Sequence, residues 1–292
     1  MTAAGLTVSS VSAGYGEGAA GDDAVLEGVD VELPAGDCLA VVGRSGCGKS
    51  TLLNVLAGVH APASGSVTVG GEVVAVGDAR RAAPPRRAPD HAAYLFQQDL
   101  LLPWKSALAN AVFAARLAAG RGVRYESHDL EEHAAGLLRE FGLGDSLALL
   151  PSELSGGMRP RVALARTVLM DRGLILLDEP FGSLDAVTRA EMRLWLLDVM
   201  AAHPATWVLV THDVDEAVLL GDQVAVLCGR PARLQALSPA ALSRARRRRI
   251  AAVAAGELEE AGGDPRADAE AAATAAAGLR RALLDEGRGL TP

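Results

Sequence analysis

Apolar positions along the chain follow two periods, one typical of strands and one typical of helices. Alternating segments typical of half-buried strands cover residues 6–12, 25–33 and 66–69. Wholly apolar runs, typical of strands buried on both faces, cover residues 38–42, 94–96, 174–177, 206–210 and 224–228. Helical spacing covers residues 50–57, 105–119, 128–141, 156–170, 186–202 and 213–220. This alternation predicts an α/β fold with a mainly parallel core sheet and an added N-terminal antiparallel β layer.

Composition excludes several classes of protein. The 292 residues are 50% hydrophobic and carry a net charge of −8, which argues against a general nucleic-acid binder. No run of about 18 apolar residues could span a membrane, and residues 1–12 do not read as a secretory signal. Three widely spaced cysteines suit a reduced compartment and predict neither a disulfide framework nor a zinc site. Lysine is rare: only Lys49 and Lys105 among 28 basic residues.

A phosphate-binding motif follows the apolar run at 38–42 and opens the first predicted helix. It consists of Gly43, Arg44, Ser45, Gly46, Cys47, Gly48, Lys49, Ser50 and Thr51. Glycines let backbone N–H groups curl around phosphate oxygens, and the helix N-terminus adds partial positive charge. We expect Lys49 to reach the β- and γ-phosphates, Ser50 to hold Mg²⁺ and Thr51 to add a phosphate contact. The competing interpretation is a plain glycine-rich turn before a helix.

Two adjacent acids end the apolar run at 174–177. Parallel sheets place ligands at the carboxyl ends of their strands, where Asp178 and Glu179 lie. Neighbouring side chains project in different directions, so Asp178 can face Mg²⁺ while Glu179 faces the γ-phosphate and the attacking water. Alternatively, both acids only solvate a strand end, which is common for such pairs.

The string Leu-Ser-Gly-Gly-Met at 154–158 narrows the class. With it, the chain resembles the ATP-binding subunit of ATP-binding cassette (ABC) transporters over residues 6–234, with the motifs in that family's order. The resemblance implies a P-loop NTPase (RecA-like) fold with a helical subdomain at about 98–160. It also implies that Ser155, Gly156 and Gly157 begin a helix that contacts the γ-phosphate bound by the opposite subunit, with Ser155 expected as the N-cap.

Further site residues follow from this resemblance one position at a time. Tyr15 matches the aromatic residue that stacks on adenine, and Gln97 matches the glutamine that contacts Mg²⁺ or water and senses the membrane partner. Asp185 lies in the loop that joins the two active sites of the dimer. His212 matches the histidine that contacts the γ-phosphate, which places it with Glu179 and Lys49 among the catalytic residues.

The segment at 100–104 (Leu-Leu-Leu-Pro-Trp) is similar to strings in importer ATPases for nitrate, sulfonates and taurine. The resemblance therefore implies an ATP-hydrolysing subunit of a bacterial importer at the cytoplasmic face of the membrane. Its expected partners are a second copy with ATP·Mg²⁺ at the interface, transmembrane permeases and, indirectly, a periplasmic or lipid-anchored solute-binding protein. No nucleic acid is expected. The ATPase of an exporter and a soluble non-transport ABC ATPase remain alternatives, and the sequence does not identify the solute.

Three features depart from the family pattern. Pro160 occupies a position that is usually glutamine in that family. As an interior helical residue it predicts a helix that is distorted or starts later, and Pro160→Gln is expected to raise stability or the ATPase rate. Residues 77–93 are rich in proline and arginine and are expected to form an exposed loop. Residues 235–292, rich in alanine, arginine and glutamate, are expected to form a peripheral or partly disordered tail. Its arginines at 244–249 are expected to be a solvated helix end, with anionic lipid, nucleic acid or acidic loops as alternative partners.

Overall fold

A computed structural model describes residues 2–15, 23–77, 91–119, 127–239, 242–255 and 265–285. The strands are β1 Leu6–Gly14, β2 Ala24–Leu33, β3 Cys38–Val42, β4 Ser64–Val69, β5 Glu72–Val76, β6 Ala92–Leu95, β7 Leu174–Asp178, β8 Thr206–Thr211, β9 Gln223–Gly229 and β10 Ala232–Pro239. The helices are α1 Lys49–Leu56, α2 Ala107–Ala119, α3 Ser127–Glu140, α4 Met158–Val168, α5 Ala186–Ala202, α6 Val214–Leu220, α7 Arg244–Ala255 and α8 Pro265–Asp285, with a 3₁₀ turn at Gly144–Ser146. Within these residues, no helix combines the length and apolar character needed to cross a bilayer.

All ten described strands form one sheet in the order β5-β4-β1-β2-β10-β9-β3-β8-β7-β6. The half from β9 to β6 is parallel, and β1, β2, β4 and β5 pair antiparallel. The antiparallel strands expected at the N-terminus therefore continue the parallel sheet. The strand β10 joins the halves, since it pairs antiparallel with β9 and parallel with β2. The α/β prediction with a mainly parallel core is confirmed.

Both faces of the parallel strands are covered, which explains their uninterrupted apolar sequences. In β3 every residue is buried, and its side chains alternate between the two faces. Leu39 and Val41 join the core that contains α1, whereas Ala40 and Val42 join the core under α6 and α8. A third core, which includes Phe141 and Trp207, packs under α2 to α5.

The C-terminal segment is more integrated than expected. The strand β10 passes through the predicted boundary at 234 and ends at Pro239. Arg247 of α7 is 2% exposed and pairs with Asp222, while Arg244 pairs with Asp37 and Asp222. The expectation of a solvated basic helix end was wrong for Arg247, which is buried, whereas Arg244 is 61% exposed; carboxylates distant in the sequence pair with both. Of the loop expected at 77–93, residues 78–90 lie outside the described residues, and β6 begins at Ala92.

Candidate functional site

The phosphate loop leaves the buried strand β3 and enters α1 at Lys49. Gly48 is the helix N-cap with φ 102°, a left-handed conformation that favours glycine. A Cβ on Gly43 would lie 2.5 Å from Cys47 Sγ and 2.6 Å from the Leu227 carbonyl oxygen. Gly48 is therefore needed for its left-handed backbone angle, and Gly43 is needed because a side chain has no room there. The resulting loop exposes Arg44, Ser45 and Gly46 at its rim.

Lys49 lies inside this loop and is only 6% exposed. Its Nζ donates to the carbonyl oxygens of Gly43 at 2.8 Å and Arg44 at 3.2 Å, and lies 3.5 Å from Glu179 Oε1. The ammonium group thus occupies the concave side of the loop. Next to it, burial raises the pKa of the Cys47 thiol, although the charge of Lys49 opposes the rise.

The two acids at the end of β7 have different partners. Asp178 is buried, and one of its carboxylate oxygens accepts a hydrogen bond from the Tyr94 hydroxyl at 3.1 Å. Glu179 has φ 46°, a left-handed conformation that is uncommon for a residue with a side chain and costs about 1–3 kcal/mol. Its N–H donates to the Val210 carbonyl at 2.9 Å, which fixes this turn against β8.

The Glu179 carboxylate is the point where four motifs meet. Besides Lys49 at one oxygen, Gln97 Nε2 lies 3.4 Å and His212 Nδ1 lies 3.1 Å from Oε2. The Glu179 side chain is 16% exposed, whereas the His212 side chain is 59% exposed. The structure therefore brings Lys49, Gln97 and His212 around one carboxylate, although they lie far apart in the sequence.

Tyr15 lies at the end of β1 and is 54% exposed. Its hydroxyl shares a hydrogen bond of 3.2 Å with Thr51 Oγ1, and Thr51 itself is buried. The ring packs against His60, with 4.9 Å between ring centroids, and His60 Nε2 lies 2.9 Å from the Gly14 carbonyl oxygen. Sequence reasoning missed His60, since a lone histidine after a helix carries no motif. Ser50 is exposed at the start of α1.

The glycine pair at 156–157 precedes α4, but Ser155 is not its N-cap. The helix begins at Met158 with Gly157 as N-cap, and the Ser155 carbonyl accepts hydrogen bonds from the N–H groups of Met158 and Arg159. The capping prediction was wrong by two residues, whereas the late helix start predicted from Pro160 is confirmed. Ser155 and Gly156 are exposed, and no hydrogen bond or ion pair between described residues joins them to the phosphate loop of the same chain.

Asp185 caps α5. Its carboxylate accepts hydrogen bonds from the N–H groups of Val187 and Thr188 at 3.1 Å and from the Thr188 hydroxyl at 2.7 Å. These hydrogen bonds, with those of the Thr188 side chain and N–H foremost, lower the pKa of Asp185 below its usual value. The residue thus fixes the start of α5, which follows directly from the loop after Glu179.

Behind His212 lies a buried carboxylate, Glu216, which sequence reasoning also missed. It accepts hydrogen bonds from Thr211 and Arg193. Burial raises its pKa, although the Thr211 hydrogen bond and the nearby Arg193 charge oppose the rise. No sequence signal links Arg193 to Glu216, because their proximity depends on the packing of α5 against α6.

The site combines a phosphate loop, acidic residues at the end of a parallel strand and polar residues that follow the neighbouring strands. This combination defines the class of P-loop nucleoside triphosphatases. The family model described as "ABC transporter" matches residues 26–182. The aliphatic sulfonates import ATP-binding protein SsuB 1 of Mesorhizobium japonicum is 42% identical over 77% of this chain and 78% of its own length. The bicarbonate transport ATP-binding protein CmpD of Synechocystis is 37% identical over 79% of this chain and 76% of its own length.

A solved structure, CbiO1 of Clostridium perfringens, part of the ABC transporter complex CbiONQ, has the same fold. It gives a TM-score of 0.67 at 24% identity and covers 80% of this chain and 88% of that chain. The chain belongs to the ABC transporter family, and it is an ATP-binding ATPase of that family. The family and the enzyme class predicted from the sequence are thereby confirmed.

Proposed function

We propose that this ATPase is the energy-coupling subunit of an importer for a small anionic solute, such as an aliphatic sulfonate or bicarbonate. The observation that carries the hydrolytic part is the convergence of three motif side chains on the Glu179 carboxylate. The import part and the solute class are supported by the names of the relatives. The proposed catalytic domain runs through β10 to Pro239, with its helical subdomain at about 98–160.

Each residue of the loop has a proposed task in ATP binding. Backbone N–H groups of residues 43–48 and the N-terminus of α1 hold the phosphates. Lys49 exchanges its carbonyl contacts for the β- and γ-phosphate oxygens, which are stronger acceptors because they are charged. The buried Thr51 hydroxyl adds a phosphate contact, and the exposed face of Tyr15 stacks on adenine.

Three side chains suit Mg²⁺ as the partner of ATP. Mg²⁺ favours sites with one or two carboxylates plus hydroxyl, amide or phosphate oxygens. Ser50, Gln97 and Asp178 offer such a set, and Asp178 is fixed in place by its hydrogen bond from Tyr94. The ion would neutralise charge on the phosphates, and these three residues would hold it beside the loop.

Water activation is assigned to Glu179, with His212 at the γ-phosphate. The left-handed backbone turns the Glu179 carboxylate toward the loop, where it can accept a proton from the attacking water. His212 contacts the same carboxylate and is exposed enough to reach a phosphate oxygen. General-base assistance of this kind contributes about 10²–10⁴-fold to turnover.

A second copy of the chain completes each site in this proposal. The exposed Ser155 and Gly156 would approach the γ-phosphate held by the other copy, with donors at the start of α4 directed to it. Gly157, the N-cap of α4, makes no side-chain cap hydrogen bond to the first turn. Asp185 would keep the loop after Glu179 in place at the same interface.

The permease would dock at the cytoplasmic face of the membrane, beside Gln97. Large apolar side chains are exposed there: Phe96, Leu100 and Trp104, the last at 73%. Exposed aromatic and apolar groups of this kind mark protein contacts. A periplasmic or lipid-anchored solute-binding protein would act on the far side of that permease.

Glu179→Gln tests the hydrolytic proposal. We expect ATP turnover to fall by about 10²–10⁴-fold, and the variant to dimerise on size-exclusion chromatography with ATP and Mg²⁺. Adding Ser155→Arg should abolish that dimer without changing the fold, because Ser155 is exposed. Normal turnover in Glu179→Gln would refute the assignment of the base.

Uptake measurements test import. In cells that lack the chain, complementation with the wild type should restore uptake of labelled alkanesulfonate or bicarbonate, and Lys49→Arg should not. Affinity capture of the tagged chain from membranes should bring down a permease. Unchanged uptake of both solutes in the deletion strain would exclude this solute class.

A further inference from the structure

The two residues on either side of His212, Thr211 and Asp213, belong to a hydrogen-bond network. We call it the flank network, and it consists of Arg193, Thr211, Asp213 and Glu216. Arg193 Nη2 donates to both Asp213 Oδ2 at 2.7 Å and Glu216 Oε1 at 3.0 Å. Thr211 Oγ1 donates to Glu216 Oε2 at 2.7 Å and accepts a hydrogen bond from the Asp213 N–H at 3.0 Å. Each of the four residues thus forms hydrogen bonds with at least two of the others.

The flank network is firmly embedded. Glu216 is 4% exposed and Thr211 is 1% exposed. The Arg193 side chain is 18% exposed and reaches across from α5. Asp213 also caps α6, where its Oδ1 accepts the N–H groups of Asp215 at 2.8 Å and Glu216 at 3.2 Å. Hydrogen bonds to buried charged groups are the strong ones in proteins, so this arrangement is rigid.

His212 itself has little to hold it. Its side chain is 59% exposed, and its described hydrogen bond runs from Nδ1 to Glu179 Oε2. The place of the imidazole therefore depends on the backbone at residues 211 and 213. Both are fixed by the flank network, one at the end of β8 and the other at the start of α6.

We propose that Arg193 is a positioning residue for His212. It holds the two flanking residues in one geometry through a cation shared by two carboxylates. Without that cation, the carboxylates of Asp213 and Glu216 would face each other across a few ångströms, and one of them is buried. This inference rests on the role proposed above for His212, and it adds a residue from α5 that acts on His212 only through the flank network.

Arg193→Met tests the inference, because methionine keeps the aliphatic stem and removes the charge. We expect kcat to fall about tenfold or more with the KM for ATP almost unchanged, since small misplacements of a catalytic group lower turnover steeply. Arg193→Lys should keep an intermediate kcat, because one ammonium can still serve two carboxylates. Arg248→Met is the matched control: it removes an exposed arginine that pairs with Asp198, also on α5, and should behave as wild type.

A double-mutant cycle separates positioning from a general structural effect. In a His212→Ala background, Arg193→Met should lower kcat by less than about twofold more, because both changes act through one group. Urea unfolding checks that each variant is folded. Fully multiplicative effects, or a wild-type kcat in Arg193→Met, would overturn the inference and leave the role of His212 intact.

An NMR measurement keeps the inference separate from the proposed function. The imidazole resonance of His212, assigned by its loss in His212→Ala, should shift in Arg193→Met and stay unchanged in Arg248→Met. If His212→Ala turns over ATP at the wild-type rate, the role of His212 falls, and a shifted resonance would still support positioning by Arg193. An unshifted resonance in Arg193→Met would overturn the inference directly.

Discussion

Asp222 ties α7 to the core sheet, and its replacement by asparagine should be among the costly single changes in this chain. The carboxylate accepts hydrogen bonds from the Cys38 N–H at 2.9 Å and from Arg244 Nη2 at 2.7 Å, and it pairs with Arg247. Arg247 is 2% exposed, and its guanidinium also donates to the Leu220 carbonyl at 2.8 Å. Asp222→Asn keeps the shape and leaves a buried guanidinium without its anion.

The structure sets the size of the effect. Removing one member of a buried ion pair costs about 3–5 kcal/mol. The side chain of Asp222 is 17% exposed and that of Arg244 is 61% exposed, so water compensates part of the loss. We therefore expect the lower end, about 3 kcal/mol of unfolding free energy. With about 2.1 cal/mol/K of unfolding entropy per residue over 292 residues, that corresponds to a decrease in Tm of about 5 °C.

Urea unfolding followed by circular dichroism measures this effect. The matched control is Asp198→Asn, which breaks a pair with Arg248 between side chains that are 48% and 55% exposed. Exposed pairs contribute about 0–1 kcal/mol, so the control should remain near wild type. Equal losses in the two variants, or a loss below about 1 kcal/mol in Asp222→Asn, would refute the reasoning.

The same pair predicts a pH dependence. Burial raises the pKa of Asp222, but the hydrogen bond from Arg244 and the charge of Arg247 outweigh it, so the pKa lies below its usual value. A carboxyl group with a pKa lowered by folding stabilises the native state above its unfolded pKa, near 4, and loses that contribution as the pH falls through the folded value. The difference in stability between wild type and Asp222→Asn should therefore be constant near neutral pH and shrink below about pH 4.

Three further changes have defined outcomes. Lys49→Arg should abolish phosphate release in a steady-state assay despite the unchanged charge, because a planar guanidinium cannot replace a compact ammonium inside the loop; retained turnover would contradict this. Pro160→Gln should lower the unfolding free energy, measured in urea, by about 1–3 kcal/mol. Pro160 is the third residue of α4, where the N–H needs no helical partner, and its side chain is buried, so the substitution would bury a polar amide. A stabilised variant would instead support the expectation from the sequence. His60→Ala should raise the KM for ATP about 2- to 10-fold by removing the ring that supports Tyr15, and His60→Phe should restore it; an unchanged KM would argue against this support.

Elements with strong local signals were predictable from the sequence. The strand β3 and the helix α5 lie where the apolar pattern places them, and the other helices predicted up to residue 220 agree with the structure to within two residues. The phosphate motif and the acids at 178–179 come together because both follow strand ends of one parallel sheet, as strand polarity requires. Local pattern and topology sufficed for these features.

Features that depend on partners distant in the sequence were not predictable. The arginines of α7 looked like a solvent-facing run because nothing local marks Asp37 or Asp222 as their partners. The strand β10 was missed because its residues alternate weakly and follow a segment that already reads as the end of the domain. The same holds for Arg193, which is one of 26 arginines in the sequence and gains meaning only where α5 crosses α6.

The strand order fixes the order in which the site residues lie along the edge of the sheet. The phosphate loop leaves β3, His212 follows β8, Glu179 follows β7 and Gln97 lies just after β6, and these four strands are neighbours in that order. Adjacent strands lie about 4.8 Å apart, so the four strand ends that carry the site extend over three such spacings, or about 14 Å. This distance does not depend on the loops. Loop substitutions can reorient a side chain, but they cannot change the order in which the phosphate loop, His212, Glu179 and Gln97 follow one another across the sheet. Changing that order would require a different strand order in the parallel half of the sheet.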